Sequence, residues 1–279
     1  MRTISKSLVI AGIASFSWLS VSGSANAADA APAYTLSTNV FLVSDYYFRG
    51  LTQTWHEPAL QGGVDYAHSS GWYAGAWGSS VSGNQYSGGS LELDYYGGYN
   101  GKITDDINWT AGLYGYYYPG ANFNKSSGPA ATTADQKFNN LEWNVGVSYK
   151  WLSAKYSQSF TDYFGANAKT GYTSDTKSSS YIDLSANIPL MDDLSLGLHV
   201  GHTDIKAKLA APLASGADNP DYTDYKIGLT KTFKDGWNVG IAYAKSNNSS
   251  YYDKTSSLAN AETADLGDGR FILSAGRSF

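Results

Sequence analysis

The sequence predicts an all-β chain, an antiparallel up-and-down transmembrane β-barrel of about twelve strands with both termini periplasmic. Three observations predict it. Segment after segment alternates with period two, the mark of a half-buried strand. The connections alternate short and long, as outer-membrane barrels sort periplasmic turns from extracellular loops. The outward aromatics gather at the two ends of the strands, where Trp and Tyr rest at headgroup level.

Composition agrees. The 279 residues include 23 Tyr, 8 Trp and 30 Gly, but only 15% are charged. A secreted β-sandwich or lectin-like domain shares that profile, so the pattern along the chain must decide. There is no cysteine, which removes thiolate catalysis, disulfides and Cys-ligated metals. The formal charge is −5, and about −7 once Arg2 and Lys6 of the leader are set aside. That speaks against nucleic acid, which asks for a basic footprint.

Arg2 and Lys6 precede the apolar run Ser7 to Val21, and Ala25-Asn26-Ala27 offers small residues for cleavage. Residues 1–27 therefore read as a secretory signal peptide, 28–34 as a short periplasmic leader, and 35–279 as the barrel. After residue 27 no apolar stretch reaches the roughly 18 to 20 residues of a spanning helix.

The first strand runs from Leu36 to about Arg49, with Leu36, Val40, Leu42, Tyr46 and Phe48 toward lipid and Asp45 and Arg49 inward. The second runs from about Ala59 to His68, and the third, after Ser69-Ser70-Gly71, runs from Trp72 to about Val81. Ser82 to Ser90 is a Gly/Ser loop. The fourth strand sets Leu91, Leu93 and Tyr95 against Glu92, Asp94 and Tyr96; the fifth groups Ile107, Trp109, Ala111, Leu113 and Tyr117. Pro119 to Lys137 is a long loop, free to fold inward as a constriction or to stay at the surface.

The sixth strand alternates most clearly: Leu141, Trp143, Val145, Val147, Tyr149 and Trp151 oppose Glu142, Asn144, Gly146, Ser148 and Lys150. The seventh spans Ser153 to about Tyr163. The eighth carries Ile182, Leu184, Ala186 and Ile188, and the ninth Leu194, Leu196, Leu198 and Val200. The tenth holds Tyr225, Ile227, Leu229 and Phe233; Asp235-Gly236 then makes a favoured hairpin turn into the eleventh, with Trp237, Val239, Ile241 and Tyr243. In the last strand Phe271, Leu273, Ala275 and Phe279 share one face. Such an aromatic-ended strand resembles the assembly signal that bacterial outer-membrane barrels usually carry, although Arg277 stands where an aromatic or apolar residue is more usual. An unpaired strand edge in lipid costs several kcal/mol or so per backbone group, so this strand must close against the first.

Three stretches carry a resemblance: SDYYFRGLTQTWHEPALQGGVDYAHSSGWYAGAWGS (Ser44 to Ser79), LELDYYGGYNG with YYYPG (Leu91 to Gly101, Tyr116 to Gly120), and DYTDYKIGLTKTFKDGWNVGIAYAKSN (Asp221 to Asn247). Together they resemble the TorF-type porin family of proteobacterial outer membranes. The resemblance implies an outer-membrane barrel of porin type and no particular substrate.

Parity places Asp45, Arg49, Asp65, Glu92, Asp94, Glu142, Lys150, Lys155, Asp183 and Lys226 inward. They are candidates for a charge-lined constriction that orders passing solute, or for structural bridges across the lumen. Tyr114, Tyr116 and Tyr118 face inward near the outer mouth, either as a stacking slide or as space-filling caps. His199 and His202 fall on opposite faces of one strand and cannot share a metal. No Gly-x-Ser-x-Gly elbow is present, so catalysis has little support. The loop acids Asp218, Asp221, Asp253, Glu262, Asp265 and Asp268 match no calcium-loop spacing.

The reading is a narrow, charge-balanced channel for passive diffusion of small polar solutes, with neither cofactor nor metal. Its expected partners are outer-membrane lipid, lipopolysaccharide and the barrel-assembly machinery, with oligomeric state left open. The competing reading is a non-conducting scaffold or adhesin working through its extracellular loops.

Overall fold

The computed structural model describes residues 32–129 and 131–279. The expected signal peptide and most of the leader lie outside the described residues. Twelve antiparallel strands close into one barrel. They are β1 (Tyr34–Val43), β2 (Ala59–His68), β3 (Trp72–Ser80), β4 (Leu91–Lys102), β5 (Ile107–Tyr117), β6 (Asn140–Tyr149), β7 (Leu152–Ser159), β8 (Ser180–Met191), β9 (Leu194–Asp204), β10 (Tyr222–Thr232), β11 (Trp237–Ser246) and β12 (Arg270–Ser278). Each pairs with its neighbours in sequence, and β12 returns to β1. No helix among the described residues is long and apolar enough to cross a membrane.

The seam runs from Asn39 opposite Ser278 to Val43 opposite Ser274. Phe279 extends it, donating its N–H to the Thr38 carbonyl (2.8 Å) and accepting the Thr38 N–H (3.2 Å). Closure removes the free edge that hydrocarbon would penalise. Phe271, Leu273, Ala275 and Phe279 all face outward. Arg277 suits its unusual place: its guanidinium lies 5.8 Å from the Trp237 ring and 4.8 Å from the Phe279 ring, and its Nε donates to the Asp235 carbonyl (2.9 Å). The stem can thus cover apolar surface while the charge stays at the rim.

The short turns, the start of β1 and the end of β12 gather at one end of the barrel, called here the turn end; the long connections gather at the other, the loop end. Asp235 (φ 63°) and Gly236 (φ 81°) take the left-handed conformations that the β10–β11 turn demands. Between the ends the outer wall exposes Val40, Leu42, Val145, Val147, Leu184, Ile227 and Leu273. A water-soluble protein buries such a band; a bilayer accepts it. Exposed Trp109, Tyr149, Trp151, Phe233, Trp237 and Phe279 ring the turn end; Tyr117, Tyr225, Tyr243 and Phe271 ring the loop end.

Three expected boundaries change. β1 stops at Val43, because Ser44 Oγ accepts the Leu273 N–H (2.9 Å) that the next backbone carbonyl would have taken. β7 stops at Ser159, and Tyr163 sits in a 3-10 turn, Tyr163–Gly165. Lys150 lies in the β6–β7 turn with φ 53°; its side chain is 52% exposed and 3.9 Å from Asp106. Lys150 is therefore a rim residue, not an inward one: the turn reverses the chain before alternation can carry it inside.

Candidate functional site

The first long connection enters the barrel. Tyr47–Phe48 pairs with Leu51–Thr52 in a small hairpin, and Arg49 (φ 47°) and Gly50 (φ 75°) form its tip. Two successive left-handed residues suit a tight hairpin, and glycine takes that conformation without strain. Asp45 holds the base. Its Oδ1 accepts Thr52 Oγ1 (2.6 Å) and Thr54 Oγ1 (3.0 Å), and its Oδ2 meets His56 Nδ1 (2.8 Å). The Gln53 N–H donates to the Tyr46 carbonyl (2.7 Å).

The tip crosses the lumen. On one side Gly50 lies against β10, so closely that a Cβ there would sit 2.3 Å from the Asp224 Cβ. On the other side Arg49 reaches β6, with Nη1 donating to Glu142 Oε1 (3.0 Å) and Nη2 to Oε2 (2.7 Å). β7, β8 and β9 separate those two walls. Asp45 and Arg49 therefore belong to an inserted hairpin and not to a strand. Tyr46 and Phe48, expected toward lipid, instead pack inside. The hairpin's own extended arms prolong the alternation, which hides the break in the sequence.

Aromatic rings fill the space around the hairpin. Tyr46 meets Trp77, Phe48 meets Tyr116 and Phe164, Tyr86 stacks on Tyr118 (4.2 Å), and Phe123 stacks on Phe138 (4.1 Å). Tyr114, Tyr116 and Tyr118 all point inward and are buried, and Tyr114 donates to Asp94 Oδ2 (2.7 Å). Their faces are covered by other rings, so they pack the mouth and leave no open stacking slide. Ala121, Phe123 and Phe138 show that the β5–β6 connection takes the inward of its two expected courses. Each such ring pair adds about 0.5–1.5 kcal/mol beyond its area, so the loop-end half is a packed plug.

The remaining inward charges divide between two walls. On β2, β4 and β6 stand Asp65, Glu92, Asp94 and Glu142. Tyr96 donates to Asp65 (2.6 Å), Tyr46 to Glu92 Oε1 (3.2 Å) and Asn140 Nδ2 to Glu142 Oε1 (3.0 Å). Glu92 is 1% exposed and Asp94 2%, yet Glu92 Oε2 and Asp94 Oδ1 have no hydrogen-bond partner. On β7 to β10 stand Lys155, Asp183, His199, Asp224 and Lys226. His199 bridges Asp224 (Nε2 to Oδ1, 2.8 Å) and Asp183 (Nδ1 to Oδ2, 3.3 Å).

The sequence reading missed Asp224, although it shares a face with Lys226 and parity alone would place it inward. Ser185 Oγ lies 3.0 Å from His199 Nδ1 but also donates to Asp183 Oδ1 (2.7 Å). Both ring nitrogens face carboxylates, so neither is left to take a proton from Ser185, as a nucleophilic serine would require.

The turn-end half is different. Its inward face carries Gly75, Gly98, Gly112, Gly146, Gly197, Gly228 and Gly240 with Ser148, Ser153 and Thr230. Tyr73 lies along the wall over Gly98 and Gly112 instead of into the lumen. Beneath the hairpin, a cavity of about 80 Å³ is bounded by Tyr46, Tyr47, Gln61, His199, Lys226 and Asn238. That is room for a few waters, too little for a sugar. The acids of the long loops mostly staple those loops. Asp221 Oδ1 accepts the Ile205 N–H (2.7 Å), Asp265 Oδ1 the Lys254 N–H (2.7 Å) and Glu262 Oε2 the Asn84 Nδ2 (3.1 Å). Partial burial and the neighbouring Asp265 and Asp268 push the Asp253 carboxyl up.

A family model described as "Bacterial protein of unknown function (Gcw_chp)" matches residues 27–279. A search of curated proteins finds no match. Among solved structures, the KdgM porin is similar with a TM-score of 0.51 at 8% identity, covering 87% of this chain and 99% of that one. A NanC porin structure is similar with a TM-score of 0.51 at 10% identity, again covering 87% of this chain and 99% of that one. These likenesses show the fold: a closed barrel of the kind outer-membrane porins use.

Proposed function

The chain belongs to the Gcw_chp family, and from its barrel and lumen we propose that it is an outer-membrane channel for passive diffusion of small polar solutes. The turn end, with both termini, faces the periplasm, and the long loops face outward. The TorF-type resemblance of the quoted stretches is part of this reading, as are the signal peptide, the lipid and lipopolysaccharide surroundings and assembly by the barrel machinery. The porin-like neighbours support it through their fold.

One observation carries the proposal. Half of the lumen is lined largely with glycine, serine, threonine and asparagine behind a wall whose outside is apolar. Such a half-tube offers a polar path for water and small solute once the inserted hairpin above it moves aside. The candidates Asp65, Glu92, Asp94, Glu142, Lys155, Asp183 and Lys226, together with Arg49 of the hairpin, line the passage that opens when the plug shifts. Asp45 acts within the hairpin itself.

Planar-bilayer recording of the refolded protein tests this. The expected result is discrete conductance steps, mostly closed at rest, with matching solute flux into liposomes. Steps and flux both absent would favour the second reading, a non-conducting scaffold, which the dense packing of the loop-end half supports.

A further inference from the structure

The Arg49 guanidinium sits as a ligand would. It is held bidentately by Glu142, its Nη1 also donates to the Tyr163 hydroxyl (3.1 Å), and its carbon lies 4.3 Å from the Tyr181 ring centroid and 4.8 Å from that of Phe48. Glu142, Tyr163 and Tyr181 are all buried and belong to the wall and a separate loop, not to the hairpin. A carboxylate fork beside aromatic faces is the chemistry that recognises planar and alkylated cations. The box is carried by the barrel, and its occupant is carried on a hairpin tethered at Ser44 and Pro58.

The sign of the ligand follows from the same fork. Glu142 turns both carboxylate oxygens to the guanidinium, an arrangement that suits a cation and would meet an anionic solute with repulsion.

We propose that Arg49 is an internal stand-in for an organic cation, and that a solute bearing a guanidinium or alkylammonium group binds the Glu142–Tyr163–Tyr181 box by displacing the hairpin. This rests on the channel reading for its consequence, since displacement clears the lumen. The occupant and the gate are then one residue. A solute of the right chemistry opens its own path, while neutral solutes wait for spontaneous opening.

Calorimetric titration of guanidinium chloride, with potassium chloride at equal ionic strength as control, into the refolded full chain tests the site. Arg49→Ala empties the box and is expected to bind guanidinium at least about tenfold more tightly than potassium, the factor that 1.4 kcal/mol supplies. Wild type, where Arg49 competes, is expected to bind it more weakly, and the double variant Arg49→Ala, Glu142→Gln to lose the preference. Folding is checked by heat-modifiable migration, and Arg49→Gln serves if Arg49→Ala does not fold. A folded Arg49→Ala or Arg49→Gln protein that binds guanidinium no better than potassium overturns the proposal. Bilayer recordings separate the two readings. Guanidinium binding with no conductance in any variant removes the channel and leaves the site; potassium conductance without guanidinium binding removes the site and leaves the channel.

Discussion

Val145→Arg is expected to cost about 2–4 kcal/mol of barrel stability, whereas Asn144→Arg, one residue away, costs far less. Val145 lies midway along β6, opposite Ala111 of β5 and Tyr156 of β7, and is 44% exposed on the apolar outer wall. A guanidinium there has hydrocarbon on one side and a closed ladder on the other. Its stem can snorkel only partway to a headgroup. Asn144 points inward, opposite Gly112 and Ser157. Gly112 has no side chain to clash, and polar groups surround the site. Urea titration of the protein in lipid vesicles, with tryptophan emission as readout, gives both values. Equal tolerance would mean that the outer wall is not in contact with lipid, and the outer-membrane reading would fail with it.

How much was legible follows from what each pattern encodes. Period two reports a strand with different solvents on its two faces, so β2 could be read closely, as about Ala59 to His68, and most others to within a few residues. Length sorting of the connections survives in the structure because it reflects which ends gather together. The hairpin was illegible for a specific reason. Its arms are extended, so Tyr46 and Phe48 keep the beat of β1, and only the Arg49-Gly50 dipeptide hints at a reversal. Periodicity describes the backbone and says nothing about which enclosure a side chain enters. The most distinctive text in the chain, SDYYFRGLTQT, falls on this hairpin. Ordinary strand text needs only alternation, but an inserted plug needs a carboxylate, two threonines, a left-handed tip and a cation at fixed places. Lys150 failed in the opposite way, because one positive-φ residue ended the strand where alternation still looked intact. The Arg49–Glu142 pair joins residues far apart in sequence, and no local pattern encodes such a meeting.

Gly50→Val is expected to expel the hairpin while leaving the barrel intact. The substitution meets two obstacles. A β-branched residue in the left-handed region costs on the order of 1–3 kcal/mol. Its Cβ would also lie 2.3 Å from the Asp224 Cβ and 3.3 Å from the Lys245 carbonyl. Neither neighbour can retreat, since β10 and β11 pair along their length from Asp224 opposite Ser246 to Thr232 opposite Asn238. The hairpin can move, because it joins no barrel ladder and its two-pair sheet is its own. Release would separate Arg49 from Glu142, which normally costs several kcal/mol when one charge stays buried; here the departing hairpin lets water reach both groups, and Asn140 Nδ2 still donates to Glu142, so the penalty is smaller. Limited trypsin digestion of the protein in detergent reads the outcome. The variant should yield a new amino terminus at position 50 under conditions where wild type keeps that bond protected. The temperature at which the folded band disappears should stay within a few degrees, since the twelve-strand ladder is untouched. In bilayers the same variant should be open for most of the record. Protection of the bond at position 49 in a folded Gly50→Val protein would show that the hairpin is a fixed part of the wall, and no gate could then be built on it.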